Sequence, residues 1–136
     1  MTVHTRYLVR FEVDDSELTR LHARAFGGPD PVADVPWSSR LARHSLTWVG
    51  AFDGDQLVGF VHACWDGGAH AFLLDTVVDP GRQRRGVGRR LVDELVSEVR
   101  VAGCEWLHVD HEPHLAGFYR RCGFATTEAA LLRLQP

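Results

Sequence analysis

The sequence has no lysine, no asparagine and no isoleucine in 136 residues. A GC-rich coding bias accounts for gaps of this kind, and they say nothing about fold. Cysteine is sparse: Cys64, Cys104 and Cys122 form no close pair. That argues against a disulfide framework and for a reducing compartment. No run approaches the ~20 apolar residues that cross a bilayer, and the first residues carry no apolar core of signal-peptide length. A cytoplasmic protein with no membrane partner is expected. Net charge is −3, so there is no global basic field to attract nucleic acid.

A chain of this size, 45% hydrophobic and 24% charged, fits one globular domain over residues 1–136. Tyr7 to Val13 reads as a first strand. Asp14 or Asp15 can cap a helix to Phe26, with Leu18, Leu21, His22 and Ala25 as its inner face. Pro29, Pro31 and Pro36 mark a loop, and Trp37 to His44 a short helix. Strands over Leu46–Phe52 and Gln56–Cys64 flank the tight turn Asp53-Gly54-Asp55. A third antiparallel strand covers Ala71–Val78. A helix over Val87–Ala102 shows apolar residues at helical spacing. Trp106–Val109 is the next strand, parallel to the one before the helix. A short helix, Leu115–Arg121, and a closing strand, Ala129–Leu134, complete an α+β domain with a mixed, mostly antiparallel sheet and flanking helices.

The junction of the third strand and the long helix carries the most chemistry. There Gln83-Arg84-Arg85-Gly86-Val87-Gly88-Arg89 opens the helix. First-turn N–H groups have no intrahelical partner, and the helix dipole adds partial positive charge. Glycines allow close approach and the arginines add full charge; five of the fifteen lie between Arg82 and Arg90. The result is a site for a phosphate or diphosphate.

Gln83-Arg84-Arg85-Gly86-Val87-Gly88 fits the acyl-CoA signature Gln/Arg-x-x-Gly-x-Gly/Ala. Phe118-Tyr119-Arg120-Arg121-Cys122-Gly123-Phe124 fits a second signature, with a strand between the two. On these motifs and the element order, the chain resembles the GNAT superfamily of acetyl-CoA-dependent N-acetyltransferases over essentially its whole length. The resemblance implies that the diphosphate of coenzyme A sits on the backbone N–H groups of Arg84, Arg85, Gly86, Val87, Gly88 and Arg89, beside Gln83. It implies that the pantetheine arm pairs with the backbone of Thr76, Val77 and Val78. A bulge in that strand, and a splay from the next, make the slot. Tyr119 looks like the proton donor to the departing thiolate, and the N–H of Val77 the donor to the oxyanion.

The group that handles the amine stays open. Asp75 lies in an apolar strand, where a carboxylate must be paired or face the cleft; relatives carry acidic residues here, some as amine ligands and some as bases. The segment from His108 to His114 is dense in titratable groups and should rim the cleft, so His111 or Glu112 is the other candidate for base or amine anchor. Relatives often carry an asparagine near Glu112 that this chain lacks. The spacing His111-Glu112-Pro113-His114 does not put two ligands on one helical face, so no metal is expected. Cys122 lies at a helix end unsuited to a reactive thiol. Trp37, Trp48 and Trp65 either wall an acceptor pocket or belong to the core.

The expected function is transfer of an acetyl group from acetyl-CoA to a primary amine of a small molecule, by direct attack in a ternary complex. A non-catalytic acyl-CoA-binding module and a protein or peptide N-acetyltransferase are the alternatives. The resemblance also allows a homodimer built on the last strand. A chain without lysine offers the donor no ε-amine of its own.

Overall fold

The computed structural model describes residues 4–136. One five-stranded sheet runs in the order β1 (Thr5–Val9), β2 (Ser45–Asp53), β3 (Gln56–Trp65), β4 (His70–Val78) and β5 (Trp106–Val109). The first four are antiparallel neighbours, and β5 joins β4 in parallel. Helices α1 (Asp15–Ala25) and α2 (Trp37–His44) contribute Leu18, Leu21, Trp37 and Leu41 to one core layer, with Leu57, Phe60 and Val77 of the sheet. Helices α3 (Val87–Val101) and α4 (Ala116–Arg121) build a second layer from Val87, Leu91, Leu95, Val99 and Tyr119. Each fully buried leucine in these layers contributes about 1.5–3 kcal/mol. This is the mixed, mostly antiparallel α+β architecture expected.

Local chemistry sets the ends of the elements. Asp14 caps α1 by accepting from the N–H of Glu17. The first strand is shorter than Tyr7–Val13. Arg10 takes φ +50°, which ends β1. The ring of Phe11 then turns inward over Gly50, where an added Cβ would lie 2.5 Å from it. Gly50 is therefore a close-approach glycine.

The strand expected over Ala129–Leu134 is not formed. No regular element follows α4, and Leu131, Leu132 and Leu134 are each more than 80% exposed. A strand exists only where a neighbouring edge accepts its ladder, and this segment pairs with none. The last strand, on which the resemblance allowed a homodimer, is thus missing as a strand.

Candidate active site

The site begins with a register slip. Phe60 pairs with Val77 and His62 with Leu74, so two steps on β3 face three on β4. The extra residue makes a bulge at Asp75–Thr76, where Asp75 takes φ +57°. Such a backbone is uncommon for a residue with a side chain, and aspartate tolerates it better than most.

The bulge turns the Asp75 carboxylate onto two histidines. Its oxygens lie 2.9 Å from His22 Nε2 on α1 and 2.7 Å from His62 Nε2 on β3. An ionised carboxylate only accepts, so each Nε2 donates. On the far side of the His62 ring, Nδ1 lies 2.8 Å from the hydroxyl of Ser45. Burial pushes the Asp75 carboxyl up, but the hydrogen bonds and charge of His22 and His62 outweigh it. They hold the group well below the usual carboxylate range. His62 is 4% exposed, whereas the side chain of His22 is 30% exposed.

The next residue serves the other wall. Tyr119 of α4 is buried, and its hydroxyl donates to Thr76 Oγ1 at 3.2 Å. Burial raises the phenol above its ordinary pKa, against the effect of the Thr76 hydrogen bond. Pairing of β4 with β5 ends at Leu73–Val109, so the stretch 75–78 has a strand neighbour only on the β3 side. The unpaired edge of Thr76, Val77 and Val78, with Tyr119 beside it, is the candidate slot. The ring of His111 stacks on Tyr119 at 5.1 Å, while Glu112 is exposed and its side chain bonds nothing among the described residues. His108 turns away to His70, 2.7 Å distant, and stacks on Phe72.

At the end of β4 the chain enters the glycine-arginine loop. Asp79 anchors its start by accepting from Gly81 N–H and from Arg24 of α1, both at 3.0 Å. The side-chain amide of Gln83 donates to the Val78 carbonyl at 3.3 Å. Arg84 (φ +64°) and Gly86 (φ +82°) take left-handed backbones, which turn successive N–H groups to one side. Gly86 caps α3 without a side-chain bond, and the N–H groups of Gly86, Val87 and Gly88 have no acceptor among the described residues. The arginine cluster is less available than its count implies. Arg82 pairs with Asp53 at 2.9 Å, Arg89 with Asp93 at 3.3 Å and Arg90 with Glu94 at 2.8 Å. Arg84 and Arg85 form no ion pair among the described residues.

A hollow of about 130 Å³ lies between α2 and strands β2–β4, lined by residues that include Trp37, Leu41, Leu74 and His62, with Arg40 and His44. Of the three tryptophans weighed as pocket walls, only Trp37 lines it. The indole of Trp48 donates to the Phe11 carbonyl at 3.0 Å, and Trp65 packs against the α3 layer. Cys122 is half-buried, and burial raises its thiol pKa, as suits a packing residue.

Residues 13–124 match the Acetyltransferase (GNAT) family. The chain belongs to this family. Among its GNAT relatives, the N-alpha-acetyltransferase RimI of Mycobacterium tuberculosis is 36% identical over 116 residues, covering 82% of this chain and 72% of that one. The GCN5-related N-acetyltransferase 1, chloroplastic, of Arabidopsis thaliana is 34% identical over 82 residues, covering 60% of this chain. The match spans only 42% of the length of that plant protein. A GNAT family acetyltransferase from Brucella melitensis, solved in complex with acetyl-CoA, has the same fold. Its TM-score is 0.68 at 23% identity, with 90% of this chain and 85% of that chain covered.

Set on the GNAT fold, the sequence-predicted residues separate into groups. Gln83 to Arg89 form one loop at the N-terminus of α3. Thr76, Tyr119 and His111 meet at the slot. Asp75 faces the α1 side, locked between two histidines, and is no free base. Glu112 joins neither group. His22 and His62 were missed as site residues, although each left a trace. His22 sits on the apolar face of α1 and His62 in an apolar strand, and a histidine placed so needs a polar partner.

Proposed function

We propose that this chain is an acetyl-CoA-dependent N-acetyltransferase acting on a primary amine of a small molecule by direct transfer in a ternary complex. One observation carries the reading. The unpartnered N–H groups at the start of α3, the one-sided strand 76–78 and the Tyr119 hydroxyl lie in sequence along a single path. They suit in turn a diphosphate, a pantetheine arm and a thioester sulfur. The acetyl-CoA bound in the Brucella relative supports the same donor here.

In the proposed step the amine nitrogen attacks the thioester carbonyl carbon, and the C–S bond breaks. The ammonium acceptor loses two protons overall. One passes to a histidine held by Asp75 and on to solvent. The other makes good the proton that Tyr119 gives to the departing sulfur. A phenol with a raised pKa remains a donor at neutral pH. The N–H of Val77 is the proposed oxyanion donor.

The test is release of free CoA thiol across an amine panel, with Tyr119→Phe beside the wild type. The variant should lose about 10²–10⁴-fold in kcat, the usual size of a general-acid contribution, with CoA affinity little changed. Cofactor binding with every amine inert would leave only an acyl-CoA-binding module. A second reading, transfer to a protein or peptide N-terminus, is favoured by the likeness to RimI; peptides therefore belong in the panel.

A further inference from the structure

We infer that the hollow beside α2 receives the acceptor, and that this acceptor is a free α-amino acid with a compact apolar side chain. The inference rests on the transferase reading above and names its substrate class.

Size sets the first limit. A hollow of about 130 Å³ is close to the about 150 Å³ cavity known to hold benzene, so it takes a branched alkyl group or one small ring. Half of its wall suits such a group: Trp37, Leu41, Leu74 and Cys64, set against Arg40, His44, Ser45 and His62. Charge sets the second. No carboxylate lines the hollow, but Arg40 and His44 do. The Arg40 guanidinium lies 4.7 Å from the centre of the Trp37 ring and has no ion-pair partner among the described residues. A ligand carboxylate answers the unpaired cation. A polyamine or an aminosugar brings Arg40 no anion.

The third limit is the position of the amine. His62 forms part of the wall, and its Nε2 is bonded to Asp75. An ammonium on that side meets His62, behind which lies the Asp75 carboxylate. An α-amino acid carries amine, carboxylate and side chain on one carbon, which matches three different features around one small hollow.

The experiment titrates the CoA-loaded protein calorimetrically with leucine, phenylalanine, their amides, leucyl-glycine and spermidine, so that binding is read without turnover. The free amino acids should bind at least about ten-fold more tightly than their amides, one charge-assisted contact's worth. Arg40→Gln, on the exposed side of α2, should bring the acid-to-amide ratio close to one. Equal binding of acid and amide, tighter binding of the dipeptide or spermidine, or an unchanged ratio in Arg40→Gln overturns the inference. Transfer assays on the same panel separate the two levels. Turnover of other amines with no amino-acid binding removes this acceptor class and keeps the transferase. CoA binding with no transfer to any amine removes the transferase itself.

Discussion

Asp75 is a carboxylate asked to accept from two imidazoles at once, and replacing it tests that arrangement directly. In Asp75→Asn one oxygen still accepts, but the amide nitrogen confronts the second histidine with a donor. One part-buried N–H is then left unpaired, at about 1–3 kcal/mol. The pH dependence has a definite sign. The folded carboxyl lies below its unfolded value, so its contribution to stability is fully present above the unfolded pKa of about 3.9. It is lost as pH falls from there toward the folded pKa. Denaturant melts between pH 6 and pH 3 should show the wild type losing its margin over Asp75→Asn as the solution is acidified. Parallel curves would mean that Asp75 is not held ionised by its histidines. The oddity of Asp75 was legible as one charge in an apolar strand. Its partners were not, because His22 and His62 lie 53 and 13 residues away and are joined to it only by tertiary packing and strand register.

Elements make the site through two irregularities, the β4 bulge and the uncapped start of α3. The glycine turn could be read from sequence because its residues are contiguous. The bulge was implied by the family resemblance alone: in the residues themselves an extra position in a ladder is invisible until the partner strand fixes the count. The closing strand failed for the related reason that Ala129–Leu134 has strand-like composition but no ladder partner. The glycines give separable tests. Gly86 has open space around its missing Cβ but φ +82°, so Gly86→Ala costs about 1–2 kcal/mol through backbone strain. It should weaken CoA binding by realigning the first N–H groups of α3. At Gly88 an added Cβ meets Phe118 at 3.4 Å and Val78 at 3.5 Å, ordinary contact distances, so Gly88→Ala should bind CoA better than Gly86→Ala. Gly50→Ala should cost about 1–3 kcal/mol in a denaturant melt without touching the loop, because the whole Phe11 ring must shift. Equal CoA affinities in the two loop variants would show that the left-handed cap does not organise the phosphate site.

At the scale of the whole molecule, the proposed donor path runs along the seam between the two core layers. Its floor is β4, its far wall is α4, and its phosphate end is the start of α3. A ligand that fills it touches elements far apart in sequence and has no comparable partner in the unfolded chain. Binding therefore adds to global stability by mass action, about 2.7 kcal/mol at a hundred-fold excess over Kd. For a domain of this length that is a rise in Tm on the order of 10 °C. The main-chain amides, with Arg84 and Arg85 beside them, are expected to carry the diphosphate, since Arg82, Arg89 and Arg90 are already paired. Pantetheine without its nucleotide should give only a small part of the rise. CoA should keep most of its effect at 0.5 M salt, because donors fixed in a helix terminus are screened less than exposed side chains. A thermal scan with CoA, pantetheine and high-salt CoA checks all three points. A rise that pantetheine alone reproduces would move the binding energy away from the α3 terminus and onto the strand, and the loop would lose its assigned role.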